Sequence, residues 1–518
     1  MAKIERTKNA SRNIIFGIIL KIYQLAIPFI MRTIMIYTLG VQYLGLNSLF
    51  TSILQVLNLA ELGVGAAMVY SMYKPIVEND SKKICALMHL YKVYYRGIGL
   101  IICVIGIVIT PFIPNLISGN VPSDINVYVI YLLNLFATVF SYWLFAYKNS
   151  ILQAHQRIDV TSKVLLVTET IKYALQIFVL VVIRNYYLFL IISLLSQILT
   201  NILTAYISNL MYPNYQAKGN LDKLEVRKIN RRIRDLFTSK IGGVIVNSAD
   251  SIVISAFLGL SVLAIYQNYF YLITAVIGLI GIVFSSVTAA IGNSIVVDSK
   301  EKVYKDFRMF TFIIAWIAGV CTNCFLNLFQ PFMKVWVGED LLLPFSVVIC
   351  FCVYFFVYEI NQLLNSYKDA SGIWHEDRFR PLVTALTNLF LNLIMVQFLE
   401  IYGIILSTVL STLIVGMPWL LHNLFTVLFD RENLIQYVMS LLQYVMITFI
   451  TLVFTFMICN QIVLDGWMTI FARLIICLIV PNIIYVIIYH DKIEFTGTLK
   501  LINRMTRNKL PLINKMGD

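Results

Sequence analysis

Fourteen apolar stretches, each long enough to cross about 30 Å of hydrocarbon, follow one another along this 518-residue chain. They run near 13–39, 45–72, 93–114, 125–147, 164–183, 188–210, 237–258, 265–296, 309–330, 343–367, 381–399, 403–423, 438–459 and 468–489. The interior of a bilayer offers the backbone no water, so a lone apolar segment must close its own hydrogen bonds as an α-helix. The expected fold class is an all-α polytopic membrane protein with about 14 transmembrane helices. Charged residues make up only 13% of the chain against 59% hydrophobic, too little polar surface for a soluble molecule of this length. The first stretch outruns the h-region of a signal peptide, about 7–15 residues, and reads as a spanning helix behind Lys3, Arg6, Lys8 and Arg12.

An even number of crossings puts both termini on one side. With that side as the cytoplasm, 33 of the 40 Lys and Arg residues fall in cytoplasmic segments, and only Arg184 and Lys334 fall outside, as the positive-inside rule describes. The net charge of +13 is therefore spread over loops and does not point to nucleic acid. The outward loops are too short to fold as domains, which argues against a membrane-embedded glycosyltransferase or polymerase. Cys321 and Cys324 form a C-x-x-C, but no second pair or His ligand follows at zinc spacing. No metal, cofactor or catalytic residue is expected, and the chain is not read as an enzyme.

Residues about 219 positions apart resemble each other. Leu39-Gly40 matches Leu258-Gly259, Asp80-Ser81-Lys82 matches Asp298-Ser299-Lys300, Tyr147-Lys148 matches Tyr367-Lys368, and Lys21 matches Lys240. A nearly constant offset across several loops is the mark of an internal repeat. It spans six helices, so the two copies insert with the same orientation, related by a pseudo-twofold axis along the membrane normal. The expected organisation is a six-helix lobe over 1–215, a basic linker and second six-helix lobe over 216–430, and helices 13 and 14 with a basic tail over 431–518. Two such lobes suit alternating access to a central site.

Five cations, Lys21, Arg32, Arg96, Lys172 and Arg473, lie inside apolar segments or at their margins, where charge is costly and usually retained for a function. Lys21, Gln24, Pro28 and Arg32 share one stripe of the first helix, Lys21 and Arg32 being about three turns apart. Pro28 removes a backbone hydrogen bond and should bend the helix. The matching helix of the second lobe carries Lys240, Asn247, Asp250 and Ser251. Lys21, Arg32, Gln24, Lys240 and Asn247 are thus candidates to line a cavity; the competing account is snorkelling to the headgroups. Glu61, with Gly63 and Gly65 beside it as hinge candidates, needs a partner at such depth, and Arg32 or Lys21 is nearest by topology. Asp250 and Glu359 are its counterparts in the second lobe, and all three are candidates for a coupling-ion site or charge pair. Glu169 and Lys172 are spaced to pair with each other. A cavity bearing Lys and Arg suits an anionic substrate, because both hold phosphate.

At Asn58-Leu-Ala-Glu61-Leu-Gly63-Val-Gly65, Tyr73-Lys74-Pro75, Asn79-Asp80-Ser-Lys82-Lys83 and Asn247-Ser-Ala-Asp250-Ser-Ile-Val-Ile-Ser255, the chain resembles bacterial oligosaccharide flippases. These are the O-antigen and capsule-repeat translocases of the MATE-like multidrug/oligosaccharidyl-lipid/polysaccharide exporter superfamily. The resemblance implies a V-shaped cavity between two lobes and the flipping of a polyprenyl-diphosphate-linked oligosaccharide from the cytoplasmic to the outer leaflet of the bacterial plasma membrane. It implies that Lys21 and Arg32 hold the diphosphate and that helices 13 and 14 form a groove for the lipid tail. A polysaccharide polymerase and glycosyltransferases of the same pathway would be partners, with membrane lipid. The chain departs from the pattern at Ser251, which stands in the place of Arg32. No Gly-x-x-x-x-Gly-Lys-Ser/Thr loop is present, so ATP hydrolysis by this chain is not expected. The alternatives are an ion-coupled multidrug exporter of the same superfamily and a membrane-embedded polymerase or glycosyltransferase.

Overall fold

A computed structural model describes residues 6–462 and 464–505. Lys3, the tail beyond 505 and some helical side chains, including those of Lys8 and Asn247, lie outside the described residues. Among the described residues there is no strand. The chain divides into two compact units, Met1–Ala264 and Ile265–Asp518. The first holds α1 (Arg6–Thr38), α2 (Val41–Leu57), α3 (Val64–Val77), α4 (Ser81–Ile109), α5 (Val127–Trp143), α6 (Asn149–Ala154), α7 (Ile158–Phe178), α8 (Tyr186–Met211) and α9 (Lys223–Leu258). From α10 (Leu260–Val297), whose first residues belong to the first unit, the second continues with α11 (Lys300–Val337), α12 (Phe345–Ser371), α13 (Arg380–Ser411) and α14 (Met417–Val427). It closes with α15 (Asn433–Asn460), α16 (Gly466–Tyr489) and α17 (Ile493–Met505).

Among the described residues, twelve helices are long and apolar enough to span a membrane, and thirteen when α5 and α6, bent by 47° at their junction, count as one crossing. The 48-residue run Arg380–Val427 is broken at Glu400, whose φ of 47° and ψ of −127° are not helical. Read as two crossings, it brings the number to the fourteen expected. Ile14, Leu100, Phe390, Phe398 and Phe449 are exposed, as side chains facing lipid must be. The apolar stretch 265–296 lies within the single helix α10, and α1 runs on through Pro28.

The repeated motifs are largely devices that start and stop helices. Gly40 joins α1 to α2 with φ 112° and ψ 166°, and Gly259 joins α9 to α10 with φ 89° and ψ 173°, a conformation that side chains rarely adopt. The Asp80 carboxylate caps α4 by accepting from the Lys83 amide at 3.0 Å. Ser299 caps α11 by accepting from the Lys302 amide at 3.4 Å. Each satisfies an amide that has no partner within its helix.

In the first unit α1 packs on α7, where Tyr23 Oη lies 3.0 Å from Thr170 Oγ1. The long α9 runs along α2 and α3. Its hydrogen bonds to the rest of the unit extend from Lys83–Glu225 through Tyr94–Asn230 at 2.6 Å to Ser255 Oγ–Leu116 O at 2.7 Å. This packing sets the contact boundary at Ala264 and not near 215, where the repeat divides the sequence. In the second unit α11 is the central helix. Phe307 stacks on Phe429 and Tyr437, each at 4.7 Å between centroids, and Trp316 stacks on Tyr485. Asn323 Nδ2 reaches Thr451 Oγ1 at 3.3 Å, so α15 and α16 are packed parts of the second unit.

Candidate functional site

The motif around Glu61 interrupts a span. After α2 the chain makes a 3-10 turn over Asn58–Glu61 and passes through Gly63, with φ 87°, into α3. A Cβ on Gly63 would stand 2.7 Å from Leu236 Cβ of α9, so glycine is needed here for close packing as well as for the turn. The break leaves Glu61 inside the unit instead of on a continuous helix face.

Three tyrosines surround it. Tyr95 Oη donates to Glu61 Oε1 at 3.0 Å, and Tyr91 Oη donates to Tyr95 Oη at 2.6 Å. Tyr142 Oη donates to Asn58 Oδ1 at 3.1 Å, and its ring meets Tyr95 edge-on at 5.3 Å. A Cβ on Gly65 would lie 2.9 Å from Tyr91 Oη and 3.2 Å from Glu61 Oε1, so this chain of hydroxyls exists only because residue 65 lacks a side chain. A cavity of about 450 Å³ opens beside the carboxylate, lined by Glu61, Tyr95, Asn149, Gln153, Gln197 and Asn201. The charge of Lys240 on α9 also acts on Glu61, a cation that the topological expectation of Arg32 or Lys21 did not name. A carboxylate, a relay of phenols and several side-chain amides together can carry a proton or coordinate a small cation.

The basic stripe is placed differently. Lys21 and Gln24 are exposed on α1, and Lys21 lies on the side away from the Tyr23 contact with α7. Arg32 is half-buried, Lys240 is exposed and Asp250 is 8% exposed. Next to Asp250, Ser248 Oγ is 3.4 Å from Gln55 Oε1 of α2. In the second unit Glu359 is 1% exposed, and neither of its oxygens has a hydrogen-bond partner among the described residues. Glu169 and Lys172 pair as their spacing required. Arg473 Nη1 approaches the Asn327 carbonyl at 3.4 Å.

Sequence reasoning overlooked Tyr91, Tyr95 and Tyr142. The available signal was the i, i+4 spacing of Tyr91 and Tyr95, which puts both phenols on one face of α4.

No protein-family model matches the sequence, and no curated protein matches it. Among solved structures, the chain is similar to the lipid II flippase MurJ in its inward closed conformation, with a TM-score of 0.64 and 17% identity, over 92% of this chain and 99% of that one. It is also similar to a multidrug resistance MATE family transporter of the MOP superfamily. The inward-facing form has a TM-score of 0.57 and 14% identity over 81% of this chain and 96% of that one. The outward-facing form has a TM-score of 0.51 and 15% identity over 83% and 96%. At these identities the likeness is one of fold: a multi-pass, all-helical membrane protein of MATE/MurJ-like architecture.

Proposed function

We propose that this chain is a transporter, not an enzyme, which flips a polyprenyl-diphosphate-linked oligosaccharide from the cytoplasmic to the outer leaflet of a bacterial plasma membrane by alternating access. Both termini would then be cytoplasmic. The observation that carries this reading is an apolar cleft of about 420 Å³ in the second unit, lined by Phe356 and Ile360 of α12, Met417 and Leu421 of α14, and Val438 and Leu442 of α15. Such a cleft suits a polyprenyl tail. It is built by α15, the first of the two helices that follow the repeat, whereas α16 packs behind on α11. The flippase fold covers 92% of this chain, while the multidrug transporter folds leave nearly a fifth unmatched.

In this reading Lys21, Gln24 and Arg32 on α1 hold the diphosphate with Lys240 and Asn247 on α9, and Gly63 and Gly65 let the chain flex at Glu61. Glu61, Asp250 and Glu359 are the carboxyls available for a coupling ion or proton. The polymerase and glycosyltransferases of the pathway would consume and supply the substrate.

The test is leaflet transfer of a fluorescent lipid-linked oligosaccharide in vesicles holding the purified protein. Lys21→Ala with Arg32→Ala is expected to abolish transfer while the protein still inserts and elutes as a monodisperse peak. Wild-type transfer by that double variant would remove the diphosphate assignment. The MATE-like fold favours one second reading, a multidrug exporter, and export of cationic dye with no transfer of the lipid would establish it. Elongation of the sugar would establish a polymerase.

A further inference from the structure

We propose that the first unit holds a phosphate-binding site between Lys92 and Lys148, separate from the α1 stripe and from the Glu61 cavity. A cavity of about 430 Å³ opens there, lined by Lys92 of α4, Tyr147 and Lys148 at the α5–α6 bend, Asn209 of α8 and Gln216 just beyond it. Lys148 is 7% exposed. Its ammonium donates one hydrogen bond, to the Tyr215 carbonyl at 3.2 Å. An ammonium has three donors, so two are left for something the chain does not supply.

Charge sharpens the point. The ion pairs of the described residues include neither Lys148 nor Lys92. Both ammonium groups lie 5.9 Å from the centroid of the Tyr147 ring, so two like charges gather around one aromatic side chain. Removing an ammonium from water without a counter-charge is unfavourable, and crowding two of them adds repulsion.

The internal repeat provides the comparison. Lys368 occupies the matching position in the second unit. Its side chain is 12% exposed, and it has Asp369 at 2.7 Å and Asp377 at 3.7 Å. In the register that pairs Lys148 with Lys368, the places of Asp369 and Asp377 are held by Asn149 and Arg157, and the nearby Asp159 is engaged by Arg157 at 2.9 Å and Lys163 at 3.5 Å. The same buried lysine is thus neutralised by the chain's own carboxylates in one unit and left without any in the other. An anion completes the first. Lysines hold phosphate as point charges, and the amides of Asn209 and Gln216 add donors. The phosphate belongs either to an anionic phospholipid headgroup or to a soluble phosphate compound. The inference holds whether or not the chain is a flippase.

The test uses the full chain in neutral detergent with two probes, inorganic phosphate by calorimetry and phosphatidylglycerol against phosphatidylcholine by native mass spectrometry. Wild-type protein is expected to bind at least one probe about tenfold or more tightly than Lys92→Gln. Lys334→Gln, far along the sequence and paired with Glu339 in the wild type, is expected to bind as wild type. Phosphatidylglycerol binding alone assigns a lipid headgroup, phosphate binding alone assigns a soluble compound, and binding of both supports the shared site. Lys148→Met adds a readout independent of affinity: the bound probe raises the melting temperature of the wild type and not that of the variant. No binding of either probe by the wild type overturns the proposal. So does equal affinity in Lys92→Gln, or an equal rise in melting temperature in Lys148→Met.

Discussion

Glu61 owes its surroundings to a residue with no side chain. Adding a methyl at Gly65 pushes on Tyr91 Oη and Glu61 Oε1 together, and overpacking of this kind costs about 1–3 kcal/mol. Gly65→Ala is therefore expected to lower the melting temperature in detergent and to break the Tyr91–Tyr95–Glu61 chain, whereas Gly97→Ala, with open space around it, is expected to change little. His155 is the residue to follow with pH. Its ring sits 4.3 Å from Tyr212 and 5.7 Å from Tyr215, with Nδ1 2.9 Å from the Ile151 carbonyl. Burial holds its basicity below the ordinary histidine value, so the folded protein resists a proton that the unfolded chain accepts near pH ~6.5. Stability is complete above that value and is lost as the pH falls through it toward the depressed one. Between about pH 7.5 and about pH 5.5 the melting temperature of His155→Phe is expected to fall less than that of the wild type.

Elements begin and end where short-range chemistry dictates. The Asp80 cap is the clearest case. Asp80→Ala is expected to cost about 1 kcal/mol in chemical denaturation, while Asp80→Asn, which keeps the acceptor, is expected to be close to neutral. Several boundaries were legible from composition. The apolar runs 381–399 and 403–423 stop and resume around Glu400, the residue whose backbone breaks the long helix. Others were not. The stretch 125–147 reads as one continuous span, yet the chain bends by 47° there and Phe145 has φ 60°, because no glycine or proline announces the turn. The stretch 45–72 likewise hides the 3-10 turn that presents Glu61.

For the whole molecule, the docking of α9 along the first unit is the arrangement with most bearing on mechanism. In the repeat α9 is the counterpart of α1, since Lys240 matches Lys21. Its polar contacts with the first unit run from Glu225 to Ser255. If the proposed alternating access is right, some of these contacts open in each cycle. Cysteines placed at Gln55 and Ser248, whose side chains now lie 3.4 Å apart, and joined by a short bis-methanethiosulfonate, which forms a disulfide with each thiol and releases methanesulfinate, are expected to stop transfer in vesicles. Activity should return on reduction, and the two single variants should be unaffected by the reagent.

The sequence alone determined that the chain is all-helical, crosses the membrane about fourteen times and turns through glycine at matched places in two related halves. These properties depend on apolar run length and on residues within a turn of each other, which every segment carries with it. Tertiary structure alone decided that Glu61 meets Tyr95, that α9 lies on α2 and α3, and that Lys148 lacks the carboxylates that serve Lys368. The partners in each case come from helices far apart in sequence, and no local pattern of charge or hydropathy records which distant side chain helix packing will bring within hydrogen-bond reach.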